Sequence, residues 1–405
     1  MNKNEFSEHL YNDLISFWAS MKDDDCRGYY GYADADGIPD KTSSKGVILQ
    51  SRILWFFASS YILNKDPKIL LLADHAYEFI KEHCYDREFG GMYWSVNYDG
   101  TPCDDMKHTY CQSFAIYALS AYYRASGRIE ALDLAKSIYE TIEQNCRDGG
   151  GYLEAFEKDF SPSGNDKLSE NGVMADRTMN TLLHLLESYT ELLCAEYSAN
   201  VESSIKQILY LFKANIYDPE RKICKVFFDK DYSSLIDLES YGHDIETSWL
   251  ISRACEVLND DKIKKTMNPL IIGLAEEALE NGIDIDTFAM NNERENSTVD
   301  HKKVWWVQAE AVTGFYNAYT LTGDENYLKA SEHIWDFIKK NVIDGKHREW
   351  IENIYDEGQE NPDQALVHEW KCPYHNGRMC IEMYARLDRE SGRCFYLRTN
   401  KITSE

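Results

Sequence analysis

No stretch of about 18 apolar residues occurs anywhere in the chain, and the N-terminal MNKNEFSEHLYNDL has neither an apolar h-region nor a small-residue cleavage site. A soluble, cytoplasmic protein is expected. No CxxC occurs, and most of the eleven cysteines fall in helix-like segments (Cys111, Cys194, Cys255, Cys380), where a reduced thiol packs as a small apolar residue. Disulfides and structural zinc are not expected. Basic residues are few, 43 against 69 acidic for a net charge of −26, and no basic cluster of five interrupts the acidic background. Nucleic acid and anionic membrane are therefore poor partners. GxSxG, GxxxxGK[ST] and GxGxxG are all absent, which leaves serine hydrolase, P-loop and dinucleotide readings without a motif.

What is present is helical periodicity. It predicts helices near 5–22, 47–65, 67–84, 107–126, 129–145, 174–197, 200–215, 242–258, 260–280, 302–321, 325–341 and 374–388. Every second one, such as VILQSRILWFFASSYIL, is apolar nearly all round and belongs inside; the alternate ones, such as ALDLAKSIYETIEQ, carry one apolar stripe and belong outside. Links from an inner to the next outer helix are short (Lys65-Asp66, Gly127, Asn259-Asp260, Gly323-Asp324). Links from an outer to the next inner helix are long and aromatic-rich, as in FGGMYWSVNYDG and KICKVFFDKDY. Prominent residues near the inner-helix starts (Arg52, Tyr110, His184, His243, Trp306, His375) recur roughly every 60–70 residues. The expected fold is all-α: one (α/α)6 barrel of six helical hairpins over residues 1–390, a short tail at 391–405, and an active site on the loop-rich face at the inner-helix N-termini.

Two histidines stand out there, His243 in SYGHDIETSW and His375 in WKCPYHNGRMC. Two proton carriers brought to one pocket from distant segments suit inversion at a carbon acid, one removing a proton from one face and the other returning it to the opposite face. Glu246, three residues after His243, shares its helix face and is expected to orient that imidazole. The same His-x-x-Glu pair would offer two metal ligands, with His108, His184 or His375 as a third. Arg52 lies in the apolar run ILQSRILWFF; a guanidinium there is either a structural ion pair or a clamp on substrate oxygens, and the clamp is the expectation. Asn180 and His184 lie one turn apart, His184 also reading as a core histidine. Trp306 with Gln308 and Glu310, and Trp370 before His375, offer flat apolar faces beside polar groups, as a sugar requires. Trp55 reads as core. A glycosidase built on Glu246 and Glu310 remains open, but it leaves the histidines idle.

SRILWFF, KHTY with FAIYALSAYYRASG, LSENG, TMN with LLH, SYGHDIE, VWWVQAEA and WKCPYHNGRMC resemble the cellobiose 2-epimerase family, within the N-acylglucosamine 2-epimerase superfamily, in order from about residue 10 to 390. The resemblance implies C2 epimerisation of the reducing-end glucose of β-1,4-linked disaccharides such as cellobiose or lactose, without metal, nucleotide or other cofactor. It implies acid/base roles for His243 and His375, Glu246 as partner of the first, and Arg52 at the enediolate oxygens. Tyr110, Asn180, His184 and Glu310 then contact sugar hydroxyls, and Trp306 and Trp370 form walls. Cys111 departs from the pattern, where a polar residue such as Asn is expected. An aldose–ketose isomerase, a monosaccharide or N-acylglucosamine 2-epimerase, and a non-catalytic sugar- or protein-binding barrel are the alternatives. A monomer or weak homodimer is expected.

Overall fold

A computed structural model describes residues 1–165, 167–168, 171–355, 359–360 and 364–388; the 391–405 tail and part of the LSENG motif lie outside them. Among the described residues twelve helices form where the periodicity predicts. They are α1 (3–20), α2 (Val47–Asn64), α3 (67–84), α4 (Thr109–Ser126), α5 (129–146), α6 (Met179–Ala195), α7 (199–216), α8 (Tyr241–Leu258), α9 (Asp261–Asn281), α10 (Trp305–Thr322), α11 (325–342) and α12 (His375–Leu387). The short links work by a left-handed C-cap: Lys65, Gly127, Asn259 and Gly323 have φ of 60°, 74°, 52° and 74° and end α2, α4, α8 and α10. The next residue then caps the following helix, as when Asp66, Asp260 and Asp324 accept from the first-turn amides of α3, α9 and α11.

The even-numbered helices form the inner ring, α2 against α4, then α6, α8, α10 and α12, which returns to α2. Each odd helix from α3 to α11 packs outside its predecessor, and α1 covers α12, so the last hairpin joins the two ends of the chain. The Met1 ammonium to Glu332 (2.7 Å) and Lys3 to Asp388 (3.0 Å) tie that closure. Trp18, Trp55, Trp249 and Trp350 are buried, Trp55 stacked on Tyr117 of the neighbouring inner helix. The ten described cysteines are free thiols, and no described helix is long and apolar enough to cross a membrane.

Three inner helices begin later than their periodicity suggests. Lys107–His108, Arg177–Thr178 and Lys303–Val304 are short strands paired with the loops, so α4, α6 and α10 start at 109, 179 and 305. These strands belong to a sixfold loop motif. After each outer helix an aspartate (Asp23, Asp86, Asp148, Asp218, Asp284, Asp344) accepts two backbone N–H groups of its own turn. In four modules the same aspartate meets a buried cation two residues before the inner helix: Lys45 on Asp23, Lys107 on Asp86 and Lys303 on Asp284 at 2.8 Å, and Arg177 on Asp148 at 2.7 Å. In three, a glutamine in the first turn of the inner helix (Gln50, Gln112, Gln308) pairs both the N–H and the C=O of a loop residue. The loop face is thus bolted to the inner ring by charge and amide pairs.

Candidate active site

The first turns of the inner helices deliver the polar side chains to one place. Arg52 on α2 donates to the Tyr110 hydroxyl of α4 at 2.8 Å, and its guanidinium lies over the rings of Phe114 and Tyr374 at 4.2 and 4.6 Å. It is 2% exposed and has no carboxylate partner among the described residues, and its Nε is buried without a partner. Among the described residues Arg52 forms no ion pair; the cation is held by aromatic faces, the Tyr110 hydroxyl and Cys372 Sγ at 3.8 Å. Burial pushes the Tyr110 phenol up to about 12. Tyr110 in turn meets the rings of His184 (5.1 Å) and Trp370 (6.2 Å). Asn180, one turn before His184, holds a buried Oδ1 with no partner among the described residues.

On the other side, Trp306 of α10 lies against both histidines, 4.7 Å from the His243 ring and 5.4 Å from that of His375. Gly242 permits this approach, because a Cβ there would stand 2.7 Å from the Trp306 ring. Burial, with His184 as a second contribution, pulls His243 down to about 3. Burial and the cations Arg378 and Arg52 hold His375 well below its ordinary value. Both imidazoles are therefore neutral bases at physiological pH.

The partner expected for His243 is not the one it has. Its Nδ1 lies 2.8 Å from Ser240 Oγ, whereas Glu246 accepts from Arg378. Spacing along one helix brought Glu246 to the right face but could not show what the neighbouring helices insert. The carboxylate paired with the other proposed proton carrier, His375, is Glu310, its Oε1 2.7 Å from His375 Nδ1 and its Oε2 receiving Trp249 Nε1 at 3.0 Å.

Arg378, on α12 one turn after His375, was not singled out from the sequence. Its buried guanidinium reaches Glu187 Oε1 (2.5 Å), Glu246 Oε1 and Glu310 Oε1 (2.7 Å), and it stacks on Tyr374. Glu187, also missed, joins His184 Nδ1 (2.9 Å) and the Tyr374 hydroxyl (2.5 Å) through its other oxygen. One guanidinium cannot neutralise three carboxylates equally. Burial alone would raise Glu187, but Arg378 with His184 and Tyr374 holds it down at about 2. Burial and the Glu310 charge instead push Glu246 up to about 7, and burial raises Glu310. In the sequence each lies three residues after a histidine, Glu187 after His184 and Arg378 after His375, a spacing that places them on the histidine's helix face without naming their partners.

Glu246, Glu310 and His375 have ligand atoms within 4.8 Å of one another, a spacing that a metal ion can use. Arg378 already lies on both of those carboxylates, so a fixed cation occupies the charge-compensating role and would repel a divalent ion. Cys111 is buried with its thiol directed to the Tyr93 carbonyl at 3.4 Å, its pKa raised well above the usual value by burial.

A profile of the N-acylglucosamine 2-epimerase (GlcNAc 2-epimerase) family matches residues 28–376. The chain is 46% identical to a cellobiose 2-epimerase of Eubacterium cellulosolvens, over 93% of this chain and 96% of that protein. It is 45% identical to one of Ruminococcus albus, over 94% and 98%. The structure of the cellobiose 2-epimerase from Bacillus thermoamylovorans superposes with a TM-score of 0.90 at 41% identity, covering 95% of this chain and 99% of that one. Barrel, loop-face site and sequence agree over nearly the whole length, and the chain belongs to the cellobiose 2-epimerase family within the N-acylglucosamine 2-epimerase superfamily, a carbohydrate epimerase.

Proposed function

We propose that this epimerase inverts C2 of the reducing-end glucose of a β-1,4-linked disaccharide such as cellobiose or lactose, with His243 and His375 as the two proton carriers. The observation that carries the reading is the pair of buried imidazoles that both lie against Trp306, in the same pocket as a buried Arg52 that has no carboxylate partner among the described residues. The names of the curated relatives supply the substrate class.

Opening of the sugar ring exposes an aldehyde, which makes the C2 proton acidic. His243, its Nδ1 turned to Ser240, presents Nε2 as the base that removes it. Arg52 and the Tyr110 hydroxyl stabilise the cis-enediolate oxygens that form. Rotation about C2–C3 offers the other face to His375. The His375–Glu310 pair shares one proton across its 2.7 Å contact, so His375 can release the Nε2 hydrogen to C2 while the shared proton settles on Nδ1. One proton leaves carbon and one returns, and the reverse reaction starts from His375 with His243 as the acid. Each acid/base group contributes roughly 10²–10⁴ in rate. Arg378 supplies the fixed positive charge among the carboxylates, so no metal or other cofactor enters.

The test is incubation of purified protein with cellobiose in D₂O, followed by NMR. A glucosyl-mannose product carrying deuterium at C2 is expected. A ketose labelled at C1 as the main product would convert the reading to an aldose–ketose isomerase, and no reaction with either disaccharide would remove the substrate assignment.

A further inference from the structure

The fourth loop module departs, at the segment that carries His243, from the cation–aspartate pattern that four others share. Asp218 keeps the aspartate turn, with the amides of Glu220 and Arg221 on its Oδ1 at 3.0 and 3.2 Å. The place two residues before the inner helix, where the other modules carry Lys45, Lys107, Arg177 and Lys303, is here Glu239. Asp218 consequently has no ion-pair partner among the described residues. The missing cation has moved to another segment: Arg294, on the strand Glu293–Glu295 of a hairpin closed by Thr298–Asp300, lies directly across from Glu239. Its Nε and Nη2 meet Glu239 Oε2 at 3.0 and 2.7 Å. Glu239 is 2% exposed, so the pair works where water screens it little.

Successive residues of a strand point to opposite sides. Glu239 and its cross-strand partner Arg294 share one face of the sheet, and Ser240, the next residue, turns to the other, where its hydroxyl lies 2.8 Å from His243 Nδ1. We propose that Glu239 and Arg294 are positioning residues for His243: the ion pair clamps the hairpin onto the strand Leu238–Ser240 and so fixes the Ser240 hydroxyl that sets the imidazole's orientation and tautomer. Four other modules place a cation on the aspartate of their own turn; the module that carries this histidine brings in an additional segment of chain. The inference rests on His243 being a proton carrier.

Glu239→Lys separates a positioning role from a structural one, because it puts at 239 the cation that four other modules carry at this place, where each meets the aspartate of its own turn. That variant should keep the wild-type melting temperature while kcat for cellobiose falls by about tenfold or more, with KM changed by less than about threefold, as expected for a misoriented base. Arg294→Gln should show the same split, and Arg294→Lys should recover most of kcat. A second readout is exchange of the C2 hydrogen in D₂O, measured separately from cellobiose and from glucosyl-mannose. Each epimer gives its proton to a different histidine, so a His243 defect should slow exchange from one epimer more than from the other. A merely structural lesion would slow both alike. Folded Glu239→Lys protein with wild-type kcat, or equal slowing of both exchanges, would overturn the proposal. His243→Ala measured alongside distinguishes the two failures: if it stays active the acid/base reading itself falls, and if it is inactive while Glu239→Lys is normal only the clamp does.

Discussion

Nη2 of Arg378 lies 2.7 Å from Oε1 of Glu310, the same oxygen that meets Nδ1 of His375. The guanidinium therefore sets the charge at the end of the His375 proton path while also holding Glu187 and Glu246. Arg378→Met removes the cation from among three buried carboxylates and should cost about 3–5 kcal/mol of stability, by analogy with broken buried ion pairs. Arg378→Lys keeps the charge but lacks the planar fork that spans three partners. It should fold, with kcat reduced by at least about tenfold. Urea unfolding and steady-state kinetics on both variants check this, and a Lys variant with normal kcat would confine Arg378 to stability.

His243→Ala and His375→Ala should each lower kcat by at least about 10², with the fold retained, since neither ring carries a core stripe of the barrel. Circular dichroism verifies the fold and cellobiose turnover gives the rate. Near-normal activity in either variant removes that histidine from the mechanism.

Helices and barrel closure were legible because they are written in local signals: a 3.6-residue apolar period, left-handed caps at Lys65, Gly127, Asn259 and Gly323, and short links that force neighbours to be antiparallel. Single-sequence reading also found the residue at the head of each inner helix, since a histidine or arginine in an apolar run stands out. It could not assign partners. The link between Glu310 and His375 spans 65 residues and that between Arg378 and Glu187 spans 191. A charge-bearing residue three places after a histidine on the last helix has no local feature that separates it from a solvated one. The aspartate–cation loop motif was overlooked for a related reason: in the four modules that carry it, its members lie 22, 21, 29 and 19 residues apart, beyond any helical or strand period.

Asp244 occupies, on α8, the position that Gln50, Gln112 and Gln308 hold on their helices, yet it offers only oxygens. Its Oδ1 accepts from the Cys224 amide at 2.9 Å, and Oδ2 is buried with no partner among the described residues. Burial raises its pKa well above the usual carboxylate value. The folded state thus binds a proton that the unfolded chain releases as pH climbs past the ordinary carboxylate range, so this group's contribution to stability falls with rising pH. Asp244→Asn removes the titration and restores an amide like that of the three glutamines. It should be more stable than the wild type at pH 8, with the difference shrinking toward pH 4; urea unfolding at the two pH values decides, and a pH-independent difference would contradict the protonated state.

Activity should survive exhaustive EDTA treatment and dialysis, because Arg378 already supplies positive charge to Glu246 and Glu310. Loss of turnover restored by a divalent ion would show that Glu246, Glu310 and His375 hold a metal after all.

The last prediction concerns substrate length. Trp306 touches both histidine rings and so walls the reacting sugar, whereas Trp370 packs farther out, 6.0 Å from Trp94 and 6.2 Å from Tyr110. Both indoles are only partly buried, which leaves apolar faces available to a sugar's C–H face. Two faces at different depths match two sugar units, and losing a well-packed aromatic wall weakens binding by about 1–3 kcal/mol. Wild-type protein should therefore favour cellobiose over free glucose. Trp370→Ala should lower kcat/KM for cellobiose by about tenfold to a hundredfold while leaving the rate on glucose nearly unchanged, so the preference narrows. Trp306→Ala should lower kcat on both, since it removes the ring that packs against both proton carriers. An unchanged cellobiose-to-glucose ratio in the Trp370 variant, or a wild-type preference for the monosaccharide, would place the second sugar somewhere other than against Trp370.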